Sequence, residues 1–292
     1  CTKRSGMRNL IVHAKQSVRR KQRQRKSPTS PIGKTKNGKA PMNGFLLAAG
    51  RGTRLKALTA KRAKPALPVA GLPMLAYSLS FFYAAKVAKL AVNVHHCPET
   101  ITDILDQAEH PWRLLVSEES ELLDTGGGLK RCEGFLSDAP VLLANADIVA
   151  DVDIPRLLRF HSAREAALTI VAVPHARAND IAPITIGTDD RVVDINRTLN
   201  PLSTGEHLYA GIAVFEPVLF QFLKTEPSSI VYTAYTGLIA AGEKVCAYVH
   251  RDRWYDCGTP ETYAEVNRAV AADTWHWDKV LRPEIASLRV NS

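Results

Sequence analysis

A glycine-rich and basic segment from residue 50 to residue 69 has the residue types that bind phosphate. Gly50 and Gly52 allow main-chain amides to approach an anion closely, and Arg54 and Lys64 add positive charge beside them. The segment is not a Walker loop, and it lacks the third glycine of the G-x-G-x-x-G dinucleotide motif. Taken alone, the two glycines leave a phosphate loop and an ordinary tight turn both open.

This segment follows the first of a series of alternating strands and helices. The apolar run from Phe45 to Ala49 predicts a strand that is buried on both faces of a parallel sheet. Alternation predicts βαβ crossovers, and therefore an α/β fold with a doubly wound, mostly parallel sheet. The further strands are predicted at 90–94, 114–116 and 141–144, and the helices between them at 73–86, 98–108 and 127–132.

The pattern changes after residue 147. Two short strands, 184–186 and 191–195, flank a turn, and we expect residues 174–215 to form a small β-rich insertion that covers the substrate. The other strands are predicted at 168–173, 209–215 and 245–249, and the helices at 154–164, 216–223, 230–241 and 259–270, the last capped by Thr259. Ligands of such sheets bind beyond the carboxyl ends of the strands, where the glycine loop and Asn145-Ala146-Asp147 lie.

The positive charge of the chain is concentrated at its amino terminus. The whole sequence has 38 Lys and Arg against 29 Asp and Glu, but residues 1–42 hold 13 of the basic residues and no acidic one. The other 250 residues carry a net charge of −4, so the basic balance does not indicate a nucleic-acid-binding body. Five scattered cysteines without C-x-x-C spacing argue against a disulfide framework or a zinc site and favour the reducing cytoplasm.

The two ends of the chain are expected to lie outside the folded domain. We expect residues 1–41 to be a disordered basic tail, dispensable for function, with binding to RNA or lipid and a targeting role as alternatives. The folded domain is predicted to span residues 42–271. Residues 272–292 are predicted to be irregular, with Trp275 and Trp277 packed back onto the domain. No apolar run is long enough to span a bilayer.

The basic segment continues into a longer pattern, G-x-G-T-R-L-x-x-L-T followed by K-P-x-x-P-V, which resembles the signature of sugar-1-phosphate nucleotidyltransferases. Three later segments also resemble motifs of that family, in the same order: residues 122–129, residues 145–147 and residues 254–260. The likeness covers about 230 residues. It is nearest to N-acetylmuramic acid-1-phosphate uridylyltransferases and the mannose-1-phosphate guanylyltransferase-like group.

The resemblance implies transfer of a nucleotidyl group from a nucleoside triphosphate, UTP or GTP, to a sugar 1-phosphate, with release of pyrophosphate. The attacking phosphate is already ionised, so positioning and charge neutralisation carry the reaction and no general base is required. Arg54, Lys64 and Asp147 are the implied catalytic residues, and Asp147 with Asp256 is the implied Mg²⁺ site.

The resemblance also implies the substrate contacts. The nucleotide-binding residues are Leu47, Ala48, Ala49, Gly50, Gly52, Thr53, Arg54, Lys64, Gly126 and Gly127. The sugar-binding residues are Asp124, Asn145 and Gly211. The implied partners are these small molecules alone, without nucleic acid, and the implied assembly is a monomer or a small homo-oligomer.

The sequence departs from the family pattern at four places. Ala57 stands where a proline is usual, Asp124 where the muramic-acid group has glutamate, and Ala146 where a glycine precedes the metal-binding aspartate. Asn196-Arg197 occupies the place of a Glu-Lys-Pro segment, so no sugar contact is carried over there.

Other interpretations of these residues remain open at this point. Asp147 alone could cap the next helix and Asp256 could shape a turn. His95-His96 is expected to be structural, and Cys257 is expected not to be a nucleophile. At the level of function, the alternatives are cytidylyl transfer to phosphocholine, a nucleotide-binding regulator without turnover, and nucleic-acid binding through the tail. The presence of Lys64, Asp147 and Asp256 argues against the regulator.

Overall fold

The computed structural model describes residues 41–288. The basic tail predicted for residues 1–41 therefore lies outside the described residues, except for Pro41. Within the described range no helix is long and apolar enough to cross a bilayer.

The described chain alternates between strands and helices, as the sequence predicted. The strands are β1 (Asn43–Leu47), β2 (Pro68–Val69), β3 (Leu72–Pro73), β4 (Lys89–Val94), β5 (Arg113–Glu118), β6 (Val141–Asn145), β7 (Ile148–Ala150), β8 (Leu168–Pro174), β9 (Ile184–Ile186), β10 (Val192–Ile195), β11 (His207–Phe215), β12 (Val245–Val249) and β13 (Trp254–Asp256).

The α-helices are α1 (Met74–Ala85), α2 (Pro98–Gln107), α3 (Asp124–Arg131), α4 (Glu133–Leu136), α5 (Ile154–Arg164), α6 (Ala178–Ile181), α7 (Thr236–Ala240), α8 (Pro260–Ala272) and α9 (Thr274–Val280). Short 3₁₀ segments lie at Thr53–Thr59, Lys64–Ala66, Thr188–Asp190, Pro217–Phe222 and Pro283–Leu288, and a π-helical turn lies at Val231–Tyr235.

Strand β1 lies near the middle of a nine-stranded sheet, between β4 and β6, and pairs in parallel with both. β5 continues the parallel part beyond β4, whereas β11 is antiparallel to β6 on the other side and β8 is antiparallel to β11. The loops after β1 and β6 therefore leave neighbouring strands at the same edge of the sheet. This edge is where ligands bind in doubly wound sheets.

Helices cover both faces of the sheet, which explains why β1 is apolar without interruption. Leu46 faces the side on which α1, α2, α5 and α8 pack, and its neighbour Phe45 faces the side of α3, α4 and α7. Alternate residues of one strand thus enter two separate cores, and both are fully buried. The predicted doubly wound α/β fold is confirmed.

The β-rich insertion is present, and it is joined to the main sheet. β9 and β10 pair antiparallel around the 3₁₀ turn, and Ile184 of β9 pairs with His207 of β11. Two small antiparallel pairs were not predicted: β2 with β3, and β7 with β13. Their strands are two or three residues long, too short to give a periodic pattern.

The prediction that residues 272–292 are irregular is wrong for the first part of that segment. Residues Thr274–Val280 form α9, because the Asp273 side chain caps the helix by accepting a hydrogen bond from the His276 amide. Trp277 is buried and meets the Tyr77 ring edge-on, with ring centroids 5.6 Å apart, as predicted. The side chain of Trp275 lies outside the described part of the structure.

Candidate active site

The glycine loop leaves the end of β1 and turns directly into a 3₁₀ segment. The Ala48 amide donates to Asn93 Oδ1 at 2.9 Å, which holds the start of the loop against β4. Gly52 has a φ of 62°, and a Cβ there would lie 2.9 Å from the Lys64 side chain, so a glycine is required. Gly50 is exposed and faces open space. The loop therefore has room for an anion above Gly50.

Lys64 brings a buried ammonium group to this loop. It begins the 3₁₀ segment Lys64–Ala66, and its Nζ lies 2.5 Å from Asp147 Oδ2 and 4.0 Å from Asp256 Oδ1. Three residues that the sequence assigned to one site are thus in contact, although the two carboxylates are more than a hundred residues apart in the chain. Lys61 and Arg62, its basic neighbours, are exposed.

The unpredicted pair of β7 and β13 explains why the carboxylates converge. Asp256 pairs with Ile148 across these strands, and the Cys257 amide donates to the Asp147 carbonyl at 3.3 Å. Asp147 does not cap the next helix, because the cap of α5 is Asp153, whose side chain accepts from the Arg156 amide. The helix-cap interpretation of Asp147 is therefore wrong.

The electrostatics of this cluster favour an additional cation. Partial burial and the charge of Asp147 raise the pKa of the Asp256 carboxyl, although Lys64 and Arg54 act in the opposite direction. Among residues 41–288, no group of three or more His, Cys, Asp or Glu side chains could hold a metal by itself. Two carboxylates offer hard oxygen atoms of the kind that Mg²⁺ prefers, and an ion held by them would need further ligands from outside this group.

Arg54 reaches the opposite end of the carboxylate cluster. It is exposed, and its guanidinium lies against Gly258, where an added Cβ would be 3.1 Å from Nη2. Thr53, beside it, is also exposed. Arg54 thus connects the glycine loop with the segment around Asp256.

A cavity of about 190 Å³ opens beside the glycine loop and contains most of the predicted site residues. Eight of them line it: Leu47, Ala48, Ala49, Gly50, Lys64, Asp124, Asn145 and Asp147. Pro65, Asn93, Leu122 and Thr125 complete the lining. The remaining predicted residues, Gly52, Thr53, Arg54, Gly126, Gly127, Gly211 and Asp256, lie outside this lining.

The two glycines of α3 pack against another segment of the chain. A Cβ on Gly126 would lie 2.8 Å from the Ser228 carbonyl oxygen, and one on Gly127 would lie 2.5 Å from the Glu226 carbonyl oxygen. The Gly126 amide also donates to Ser228 at 2.7 Å. Close packing accounts for both glycines, and their contact with a nucleotide stays a prediction. Asp124, which begins α3, has a φ of 57°.

Gly211 lies beside Asn145 and Ile148. It interrupts the regular pairing of β11 with β8 and has a φ of 75°. A Cβ there would lie 2.5 Å from Ile148 Cδ1 and 2.7 Å from Asn145 Nδ2. The absence of a side chain at Gly211 therefore leaves space for Asn145 at the end of β6.

Two buried polar residues of the site were not predicted. Asn93 and Glu119 lie at the ends of β4 and β5, and Asn93 Nδ2 donates to Glu119 Oε1 at 2.9 Å. A polar side chain in the otherwise apolar strand from Leu90 to Val94 was the available signal. His95 and His96 follow Asn93, and their ring nitrogens contact the carbonyl oxygens of Glu119 and Thr59.

Cys257 is unsuited to nucleophilic chemistry. Burial and the nearby Asp147 carboxylate raise the pKa of its thiol to about 12. The thiol therefore remains protonated at neutral pH, and the thiolate is the nucleophilic form.

The Asn196-Arg197 departure lies in the insertion, where both residues have positive φ angles of 56° and 55°. Asn196 Nδ2 is 3.5 Å from the Tyr232 hydroxyl, and Arg197 donates to the Asn179 carbonyl at 2.6 Å. The Arg197 side chain is thus bonded to the insertion itself.

Comparison with curated proteins gives two similar guanylyltransferases. Over 238 residues the chain is 29% identical to mannose-1-phosphate guanylyltransferase of Mycobacterium tuberculosis, and the matched region covers 79% of this chain and 66% of the relative. Over 228 residues it is 28% identical to mannose-1-phosphate guanyltransferase of Hypocrea jecorina, and the matched region covers 76% of this chain and 62% of the relative. The chain thus spans somewhat less than two thirds of the length of these relatives.

Solved structures with the same fold include two bacterial proteins. A putative glucose-1-phosphate thymidylyltransferase from Bacillus anthracis superposes with a TM-score of 0.70 at 16% identity, covering 80% of this chain and 96% of that one. HddC from Yersinia pseudotuberculosis superposes with a TM-score of 0.63 at 20% identity, covering 78% of this chain and 98% of that one. At these identities the likeness establishes the fold.

The family model for nucleotidyl transferases matches residues 43–273, which include the glycine loop, Lys64 and both aspartates. This match covers most of the chain and ends where α8 meets α9. The chain belongs to the nucleotidyl transferase family.

Proposed function

We propose that the protein transfers a nucleotidyl group from a nucleoside triphosphate to a sugar 1-phosphate, giving a nucleoside diphosphate sugar and pyrophosphate. The observation that carries this proposal is the contact of Lys64 with Asp147 and Asp256 beside a glycine loop, at the carboxyl ends of β1 and β6. The names of the curated relatives favour GTP and mannose 1-phosphate as the first pair to test.

The reaction brings one anion to another, so the residues must neutralise and position phosphate. In this proposal the glycine loop and Arg54 hold the β- and γ-phosphates and stabilise the departing pyrophosphate. Lys64 bridges the α-phosphate and the sugar phosphate. An oxygen of the sugar phosphate attacks the α-phosphorus, and the bond from the α-phosphorus to the oxygen of the leaving pyrophosphate breaks. No base has to remove a proton first, because the sugar phosphate is ionised at neutral pH.

Asp147 and Asp256 are the residues of this chain that would hold Mg²⁺. The donor set fits, because two carboxylates share one ammonium group in the structure and the pKa of Asp256 is raised. When bound, the ion supplies charge neutralisation on phosphate oxygens. Lys64 Nζ, already in contact with both carboxylates, is near enough to reach a phosphate bound beside them.

The sugar is proposed to lie against Asn145, Asp124 and Gly211. The cavity is lined by Asp124 and Asn145, and Gly211 abuts the Asn145 side chain. We further propose that the enzyme works in the cytoplasm as a monomer or small homo-oligomer and needs no nucleic acid.

Pyrophosphate release by the full chain with Mg²⁺ tests the proposal. The assay crosses GTP, UTP, CTP and ATP with mannose, glucose, glucosamine and N-acetylmuramic acid 1-phosphates and with phosphocholine. We expect turnover with GTP or UTP and a sugar 1-phosphate, and its loss in Lys64→Met but not in Lys61→Met, which changes an exposed neighbour. Turnover with CTP and phosphocholine instead would replace the proposed acceptor, and absence of both turnover and nucleotide binding would contradict the proposal.

A further inference from the structure

A buried polar bridge joins the two loops that line the cavity. Asn93 Oδ1 accepts from the Ala48 amide at 2.9 Å, and Asn93 Nδ2 donates to Glu119 Oε1, also at 2.9 Å. Glu119 Oε2 then accepts from the Leu123 amide at 2.9 Å. Three hydrogen bonds thus run from the glycine loop after β1, through the ends of β4 and β5, to the residue before α3.

The two side chains of this bridge are almost completely removed from water. Asn93 is 1% exposed and Glu119 is 2% exposed. Burying an amide and a carboxylate is unfavourable unless their polar atoms are hydrogen-bonded. Each side chain is hydrogen-bonded to the other and to one main-chain amide of a loop. The bridge is therefore fully hydrogen-bonded only when both loops are in place.

Helix α3 packs so closely on the bridge that only a glycine fits at position 128. A Cβ on Gly128 would lie 2.6 Å from both Asn93 Nδ2 and Glu119 Oε1. Position 128 therefore fixes the distance of α3 from the bridge, and Asp124 and Thr125, which line the cavity, belong to the same helix.

We propose that Asn93 and Glu119 are positioning residues that hold the glycine loop at 48–52 and the segment that leads into α3 at 119–123 at the separation required by a nucleotide. The two main-chain amides that they bind, of Ala48 and Leu123, lie within or next to the cavity lining. The bridge acts on the nucleotide through these loops. This inference rests on the proposed function, because it assumes that the cavity binds a nucleotide.

An exchange of donor and acceptor tests the bridge. Asn93→Asp places an acceptor against Glu119 Oε1. Glu119→Gln places its new amide group against either the Asn93 amide or the Leu123 N–H, so two donors meet. In the double variant Asn93→Asp/Glu119→Gln, the glutamine donates to the aspartate and accepts from Leu123. All three hydrogen bonds and the total charge are then restored.

The measured quantity is the dissociation constant of the full chain for the non-hydrolysable analogue GMPPNP with Mg²⁺, and equally for UTP with Mg²⁺, by calorimetry. We expect each single variant to bind about tenfold more weakly, since it loses a buried hydrogen bond and brings two acceptors or two donors together in its place. The double variant should return to within about threefold of the wild type. Gly128→Ala, which presses on the bridge without changing it, should also weaken binding.

Asn43→Asp is the matched control. Asn43 is also 1% exposed, lies at the other end of β1, and donates to the Leu136 carbonyl and to Asp138 Oδ1, each at 2.8 Å. Its substitution should lower the melting temperature in a similar way but leave nucleotide affinity unchanged.

The outcomes separate this inference from the proposed function. Folded single variants with wild-type affinity, or a double variant no better than the singles, would overturn the bridge. Equal weakening by Asn43→Asp, or singles that do not fold while Gly128→Ala binds normally, would reduce it to a requirement for folding and overturn it as well. A wild-type chain that binds none of the nucleotides would instead refute the proposed function.

Discussion

Lys64 neutralises two carboxylates that come from distant parts of the chain. Its ammonium is 2.5 Å from Asp147 and 4.0 Å from Asp256, so it is shared unequally. Arg54 adds a second, more distant positive charge, yet the pKa of Asp256 is raised, because burial and the charge of Asp147 outweigh both cations. The repulsion that remains between the two carboxylates is the physical reason to propose them as metal ligands.

Asp147→Asn and Asp256→Asn are each expected to reduce Mg²⁺-dependent pyrophosphate release at least about a hundredfold, because each removes a ligand of the ion that neutralises phosphate charge. Circular dichroism should show an unchanged fold, since both carboxyl side chains are partly exposed to solvent. Asp252→Asn, at an exposed residue near Asp256, is the control and should keep full activity. Near-normal rates in either site variant would refute the metal assignment.

Among the elements, the β7–β13 pair and α9 are held together by a buried aspartate. Asp151 Oδ1 lies 3.2 Å from His250 Nε2, and Asp151 Oδ2 lies 2.9 Å from His276 Nε2. Arg253 approaches the same carboxylate to 3.8 Å and also pairs with Asp273, the cap of α9. The cluster thus joins the end of β12, the start of β13 and the C-terminal helix behind the site.

Titration of this cluster gives stability a predictable pH dependence. Burial raises the pKa of Asp151, but the close approach of His250 and the hydrogen bond from His276 outweigh it, and the net pKa lies below the usual value. Burial lowers the pKa of His250, but its contact with Asp151 and its hydrogen bond to the Arg253 carbonyl outweigh it, and the net pKa is raised. The contribution of the cluster to the free energy of unfolding is therefore lost when the pH falls through the lowered pKa of Asp151. It is also lost when the pH rises through the raised pKa of His250.

We expect the cluster to stabilise the fold most between about pH 4 and pH 6.5, the ordinary pKa values of the two side chains. Asp151→Asn should lower the free energy of unfolding by roughly 1–3 kcal/mol at pH 5.5 and less at pH 8.5. Urea unfolding at the two pH values measures the difference. Asp103→Asn, at an exposed residue of α2, is the control, and an equal loss at both pH values would contradict the assigned titration.

At the scale of the whole molecule, the cluster of basic residues and the candidate active site lie in different parts of the chain. The cavity and the carboxylate cluster use residues from Leu47 to Gly258, whereas 13 basic residues lie within the first 42. The other 250 residues carry a net charge of −4.

Removal of residues 1–40 is accordingly expected to leave kcat/KM for the nucleotide and the sugar 1-phosphate unchanged within about twofold, because the proposed phosphate-binding residues all lie between Leu47 and Gly258. Steady-state rates of the full and shortened chains at two salt concentrations make the comparison. A large loss of activity in the shortened chain would show that the basic segment belongs to the catalytic machinery.

Residue types and local patterns were enough to predict the fold class. Apolar runs predicted β1, β4 and β6 because strands buried on both faces leave a continuous signal. The resemblance of contiguous motifs to a family signature assigned the glycine loop, Lys64 and Asp147 to one site, and they line one cavity because the strands that precede the glycine loop and Asp147 are parallel neighbours.

The tertiary structure decided what depends on contacts between distant segments. The pairing of β7 with β13 brings Asp256 to Asp147, and the bridge joins Asn93 to Glu119. The polar Asn93 in an apolar strand is a local signal, but no local pattern tells which distant residue is its partner, because the packing of other elements decides the pairing. Gly126 and Gly127 also illustrate this, because their neighbours at residues 226–228 are a hundred positions away. Periodicity reports which face of an element is buried, and it carries no information about which distant residue covers that face.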